Sequence, residues 1–239
     1  MSYREKIYSK YVSTNTLPLY GEASLDKIKK QFSAWQKYFG KFMPQDKNVK
    51  IIDVGCGNGG FVYWFEQLGY SNVEGVDISR EQINQGKALG IKNINERDFR
   101  DILGAQNKYD MIFMRDVIEH FNKEEIMDIL EKTLESLNSG GSLIIQAPNA
   151  EGPFGSRLRY SDFTHEVSFT KNSAKQLFMA TGFSSVDVYP VPVVVHGIKS
   201  FIRMVLWFLI KAIIKFYLLA ETGSADGIFT QNIIVVAKK

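Results

Sequence analysis

Three acids placed around a glycine-rich turn set the first chemical question. Asp53 stands two residues before Gly55 in IIDVGCGNGG, Asp77 follows in VEGVD, and Asp98 lies beside Phe99 in RDF. Glycines at 55, 57, 59 and 60 strip the turn of side chains, so a ligand can lie against backbone N–H groups. Gly55, Gly57 and Gly60 also satisfy G-x-G-x-x-G, which admits a nicotinamide or flavin site. Asp53 separates the readings, because dinucleotide folds keep that position apolar. A carboxylate at a strand end accepts from an ammonium group, directly or through water. Asp77 is spaced to accept from both hydroxyls of a ribose. Asp98 can accept from an adenine amino group while Phe99 packs on the base, or it can simply cap the next short helix. Cys56 reads as a small turn residue and not as a nucleophile.

Two histidines offer proton chemistry. His120 follows an apolar run in VIEHF, where a packing or orienting role on the substrate side is expected ahead of catalysis. His165 lies in a long polar and aromatic stretch among Arg157, Arg159, Tyr160 and Asp162. There it is the expected general base, with arginine forks to bind a polar acceptor and Asp162 to orient the imidazole. The plainer alternative is that Asp162 and His165 hold the loop together through local hydrogen bonds. One cysteine and three histidines assemble no zinc spacing, so no metal is expected and no intrachain disulfide can form.

These residues need a scaffold, and the chain supplies one from residue 50 onward. Strands are expected at 50–54, 72–77, 91–94, 109–114 and 142–146, alternating with helices that end near Gly69, Gly90 and the Gly140–Gly141 pair. Ser79 with Gln82 reads as a capping box. Such alternation builds a mostly parallel sheet with ligands at the carboxyl ends of its strands. After Pro148 the rhythm breaks into the 149–169 loop, then a helix capped by Thr170, a strand over 185–195, an apolar helix over 199–219 and a last strand over 232–237. Before the alternating region, Leu25, Ile28, Phe32, Trp35, Phe39 and Phe42 mark one face of a helix. Residues 1–46 are expected to form a helical lead-in over the cofactor cleft, and 47–239 the main domain with an apolar insertion at about 197–220.

On these motifs the sequence resembles the class I S-adenosylmethionine-dependent methyltransferases, with IIDVGCGNGG, VEGVDIS, RDF and YDMIFMRDVIEHF in order. The resemblance implies an α/β, Rossmann-like methyltransferase sheet, mostly parallel with an antiparallel last strand and helices on both faces. It implies S-adenosylmethionine as cofactor, with Gly55, Gly57 and Asn58 at its amino-acid part and Arg115 and Asp116 near the methionine side. Cys56, Gly59 and Ile78 enter through the same motifs. Arg115 stands where a small or apolar residue is common. The loop pattern is also similar to methyltransferases of bacterial cell-surface polysaccharide and lipopolysaccharide synthesis, which implies a glycan hydroxyl as acceptor.

Composition bounds the rest. The chain has 239 residues, 23% charged and 45% hydrophobic, with a net charge of +3, too mild to imply nucleic acid. The N-terminal charges have no apolar run behind them, so no cleaved secretory signal is expected and the setting reads as cytoplasmic. Lys199, Arg203, Trp207, Lys211 and Lys215 recur at i, i+4 beside a wide apolar face, which suits a helix lying on the inner membrane surface, a homodimer contact or a lid. The competing functions are methylation of a quinone or other lipid-like molecule, a non-catalytic cofactor-binding adaptor, and a nicotinamide oxidoreductase.

Overall fold

The computed structural model describes residues 3–239. The chain enters through α1 (Tyr3–Tyr8), a π-helical turn at Val12–Thr16 and α2 (Leu17–Tyr20). The apolar spacing expected to form one helix is divided into α3 (Leu25–Lys29), α4 (Phe32–Phe39) and a 3-10 turn at Gly40–Phe42. The division falls at residues 30 and 31, where the Gln31 amide donates to the nearer Ile28 carbonyl. The tightened turn resets the helix direction, so Ile28, Trp35 and Phe39 all bury, with Trp35 stacked on Phe61 at 4.1 Å.

The alternating region follows as β1 (Lys50–Val54), α5 (Gly60–Gln67), β2 (Asn72–Asp77), α6 (Arg80–Ala88), β3 (Ile94–Glu96), β4 (Tyr109–Arg115), α7 (Lys123–Ser136) and β5 (Leu137–Pro148). Then come α8 (Gly155–Arg159), α9 (Lys171–Ala180), β6 (Ser185–Pro190), α10 (Ile198–Thr222) and β7 (Asn232–Lys238). The seven strands form one sheet in the order β3-β2-β1-β4-β5-β7-β6. Parallel pairing joins β3 through β5, and β7 runs antiparallel to both β5 and β6, which is the Rossmann-like arrangement with its reversed last strand. Helices on both faces cover central strands β1 and β4, which are apolar and buried almost throughout. Two cores result, one around Ile52, Ile112 and Leu130, the other around Trp35, Phe61 and Phe113.

Several boundaries differ from the sequence expectation. The third strand begins only at Ile94, because Ile91 is spent closing α6: its amide donates to the Gly86 carbonyl and its side chain is buried. Gly140 and Gly141 do not end α7; they lie inside β5, where pairing with β4 shifts register between Tyr109 and Met111. A Cβ on Gly141 would sit 2.9 Å from the Asn138 carbonyl oxygen, so the irregular pairing requires glycine there. Ser79 caps α6 through the Gln82 amide, but the Gln82 side chain donates to Thr16 instead of completing a capping box. β6 stops at Pro190, since Pro190 and Pro192 bring no N–H to a ladder.

Helix α10 buries no residue. Large apolar side chains stand exposed along it, with Phe216 73% and Ile213 68% exposed, whereas Trp207 and Lys211 of the expected basic stripe are half-covered. Among the described residues, no helix is long and apolar enough to cross a membrane.

Candidate active site

A cleft of about 620 Å³ opens at the carboxyl ends of β1, β2 and β4, the end at which parallel sheets bind ligands. Its floor is the turn after β1. Gly55 and Gly57 adopt φ of 68° and 55°, and a Cβ on Gly55 would lie 2.4 Å from Val117 Cγ2. The left-handed backbone favours glycine at both positions, and at Gly55 the close approach adds a steric reason. Asp77, at the tip of β2, accepts from the Gly57 amide at 2.8 Å and from the Ser79 amide at 2.7 Å. Each carboxylate oxygen keeps a lone pair for a ligand hydroxyl. Burial raises its pKa, and the two amides counteract.

Beneath this turn Asp53 is 2% exposed, and its Oδ2 has no hydrogen-bond partner. Burial, reinforced by the charge of Asp77, holds its pKa well above the ordinary carboxylate value, against the pull of Arg115. A buried, unpaired acid beside a second acid favours a cationic ligand. It disfavours a pyrophosphate, all the more because Asp77 already occupies the Gly57 amide that would hold one. The residues therefore fit an ammonium- and sulfonium-bearing nucleoside better than a dinucleotide.

The cleft is lined further by Ile78, Asp98, Phe99 and Asp116. Asp98 also caps the short turn Phe99–Asp101 through the Arg100 amide and pairs with the Arg100 guanidinium at 2.6 Å. Burial pushes the Asp98 pKa up, but the bonds from Arg100 outweigh it and the net shift is downward. Asp116 is the sole non-glycine residue at positive φ (55°) among the described residues, held there by Gln146, whose Nε2 donates to it at 3.0 Å. Strain of this kind marks functional positions. Cys56, Asn58, Gly59 and Arg115 lie outside the cleft lining. Cys56 is buried against Gly75, Asn58 donates to Gln85, Gly59 caps α5, and Arg115 spans Asp116 and the Phe61 ring.

Tyr3, Arg4, Tyr8 and Tyr11 form the opposite wall. Arg4 makes a bidentate pair with Glu125 at 2.7 and 2.9 Å, and its guanidinium lies 5.4 Å from the Phe121 ring centroid. Tyr11 and Asn15 both donate to Asp162 Oδ2, at 3.0 and 2.9 Å. Burial pushes the Tyr8 hydroxyl up to about 12, so it stays a proton donor.

The polar cluster expected in the 149–169 loop does not converge. Arg157 and Tyr160 are exposed, and Arg159 donates to the His165 carbonyl and lies over Tyr160. The Asp162 carboxylate does not orient the His165 imidazole; the two residues meet only through the backbone, where the His165 amide donates to the Asp162 carbonyl at 3.2 Å, the local loop bond of the plainer alternative. Asp162 Oδ1 accepts from the Thr164 hydroxyl at 2.6 Å, and Thr164 Oγ1 in turn lies 2.8 Å from Nδ1 of His120. A carboxylate only accepts, so the Thr164 proton goes to Asp162, and His120 must donate from Nδ1, leaving Nε2 unprotonated. Burial opposes ionisation of Asp162, but hydrogen bonds from Thr164 prevail and lower its pKa. Burial, together with the neighbouring His165, lowers His120 to about 4, so it is neutral at physiological pH.

Among the described residues, His120 is thus the imidazole that lines the cleft, and His165 packs edge-on behind it with ring centroids 4.7 Å apart. Glu119, beside His120, is 1% exposed and neither carboxylate oxygen has a partner. Sequence reasoning passed over Glu119 and Thr164, although both flank the histidines it selected. Their spacing carries no periodic signal; only folding of the loop onto the turn Ile118–His120 unites them.

A second cavity, of about 810 Å³, lies between α10 and the sheet. Trp35, Val191, Trp207, Ile214 and Phe229 give it apolar walls. Arg115 and Gln146 also line it, and both touch Asp116 of the first cleft.

Comparison with known proteins agrees with this geometry. A family model described as a methyltransferase domain matches residues 25–188. The chain is 30% identical over 107 residues to a ubiquinone biosynthesis O-methyltransferase from Pelagibacter ubique, covering 43% of each protein. It is 27% identical over 128 residues to a tRNA U34 carboxymethyltransferase from Desulfotalea psychrophila, covering 49% of this chain and 38% of that one. The chain thus spans about two fifths of the length of both relatives. Its fold is similar to that of a SAM dependent methyltransferase from Archaeoglobus fulgidus, with a TM-score of 0.65 at 19% identity over 89% of this chain and 94% of that one.

Proposed function

We propose that this chain, which belongs to the methyltransferase domain family, is an S-adenosylmethionine-dependent O-methyltransferase acting on a hydroxyl of a saccharide carried on a lipid. The observation that carries the cofactor assignment is the pairing of Asp77, anchored by the Gly57 and Ser79 amides, with the buried, unpartnered Oδ2 of Asp53. Asp77 would hold the ribose, Asp53 the ammonium group, and Asp98 with Phe99 the adenine. Two acids near the turn also favour the positive sulfonium end. When bound, the cofactor supplies a sulfonium methyl group to an in-line nucleophile.

The acceptor hydroxyl would lie beside Asp116 and His120, and the apolar body of the acceptor in the cavity roofed by α10. Arg115 and Gln146 line that cavity and touch Asp116, joining the two spaces. The apolar outer face of α10, flanked by Lys199, Arg203 and Lys215, suits contact with an anionic membrane surface, where a lipid-linked acceptor would enter. The same apolar cavity also supports the second reading, a quinone-related or other lipid-like acceptor, and the Pelagibacter relative is named for ubiquinone biosynthesis.

Calorimetry with S-adenosylmethionine followed by transfer of labelled methyl to panels of lipid-linked glycans and quinols tests this reading. Absence of cofactor binding overturns it. Tight binding with no transfer to either panel turns the chain into a cofactor-binding adaptor.

A further inference from the structure

We propose that Glu119, His120 and His165 bind one divalent first-row transition-metal ion at the inner wall of the cleft. A carboxylate oxygen of Glu119 and one nitrogen of each imidazole lie within 4.8 Å of one another. Two donors on a common tetrahedral ion, each at about 2.0–2.2 Å, stand roughly 3.4 Å apart. Side-chain movements of about an ångström therefore close the site.

The carboxylate gives the second observation. Glu119 is 1% exposed and both its oxygens lack any partner, an arrangement that is costly unless a cation completes it. Its backbone is fixed as well, since its carbonyl accepts from the amides of Glu166 at 2.7 Å and Val167 at 3.2 Å. Those two bonds lock the loop that carries His165 onto the turn that carries Glu119 and His120.

The third observation is the tautomer of each ring. His120 Nδ1 donates to Thr164, whose own proton goes to Asp162. His165 Nδ1 lies 2.9 Å from the Leu158 carbonyl, which can only accept. Both rings are thereby left with a free lone pair on Nε2, the state a metal requires, and their partners are of the kind that orient metal-binding histidines.

One oxygen and two imidazole donors suit zinc, manganese, iron or cobalt and not calcium or magnesium, which take oxygen ligands. Three protein ligands leave positions open. In the methyl-transfer reading, on which this role rests, an acceptor with two adjacent oxygens, such as a vicinal diol or a catechol, would fill them. The ion lowers the pKa of the bound hydroxyl, as it does for bound water, and that proton leaves to solvent. The oxygen then forms the new O–C bond while the C–S bond breaks, its electron pair remaining on sulfur.

The test is a titration of the full chain, stripped with chelator, with Co²⁺ followed by visible absorption, then displacement by Zn²⁺. One equivalent should bind, and Glu119→Gln and His165→Ala should each weaken binding at least tenfold. Metal-free Glu119→Gln should melt no lower than the wild type, because an amide of the same shape replaces a buried carboxyl group that has no partner, and it should lose the rise in melting temperature that Co²⁺ gives the wild type. Asp77→Asn should lose cofactor affinity yet keep the Co²⁺ site, so failure of the metal site and failure of the cofactor reading are distinguishable. Wild-type protein that takes up no Co²⁺, or variants that bind it as tightly as the wild type, would overturn the proposal. Should Glu119→Gln fail to fold, His165→Ala on the half-buried loop decides alone.

Discussion

Replacing Asp77 with asparagine isolates the carboxylate on which cofactor binding rests. In the wild type one oxygen accepts from Gly57 and the other from Ser79, and both keep lone pairs for ligand hydroxyls. An asparagine has the same shape but only one acceptor. Whichever way the amide turns, its NH₂ faces a backbone N–H that it cannot bond, and one ligand hydroxyl loses its charged partner. A hydrogen bond to a charged group contributes about 1.5–3 kcal/mol, so the dissociation constant for S-adenosylmethionine should rise about 10- to 150-fold. Calorimetry with S-adenosylhomocysteine and with its 2′,3′-dideoxy analogue makes the measurement specific. The wild type should discriminate strongly between the two, and Asp77→Asn should discriminate weakly. A melting curve of the unliganded variant guards against misfolding. A folded variant whose affinity is within twofold of wild type, or whose discrimination is intact, refutes the assignment.

Asp53 should make cofactor binding pH-dependent. Its folded pKa is raised, so the stability it contributes is present at acid pH and lost as pH rises through that raised value. Unliganded Asp53→Asn should therefore gain stability relative to wild type as pH rises above the ordinary carboxylate range, measured by denaturant titration at each pH. Wild-type affinity for the cationic cofactor should weaken as pH falls through the same window, and Asp53→Asn should flatten that trend. Arg4→Ala removes the partly exposed pair with Glu125, worth about 0.5–1 kcal/mol after solvent screening. It should speed proteolysis of the N-terminal segment and cofactor release a few-fold, with little change in melting temperature; release at the wild-type rate would show that α1 does not cover the cleft. Phe216→Ser on the outer face of α10 should reduce binding to anionic vesicles by about 10- to 150-fold, since burying a phenylalanine contributes about 1.5–3 kcal/mol. Equal flotation of variant and wild type would remove α10 from any membrane role.

The sequence by itself determined the sheet and the cofactor turn. Strand 50–54, the glycines after it, and acids at the tips of the next two strands are local signals, since periodicity and the φ requirements of a turn act between near neighbours. Boundaries failed where long-range contacts overrode local ones. Gly140 and Gly141 look like a helix stop but lie within a strand, where Gly140 takes a φ of 75° and Gly141 approaches the carbonyls of Tyr109 and Asp110 across the sheet. The helix of residues 24–42 breaks so that Ile28 and Trp35 reach the same core. The histidine at the cleft was likewise decided by tertiary structure. His165 looked like the base because Asp162 is its neighbour in sequence, but the loop folds so that Asp162 acts through Thr164 on His120. Glu119 had no local signal at all, for what distinguishes it is burial without a partner, a property of the folded chain alone.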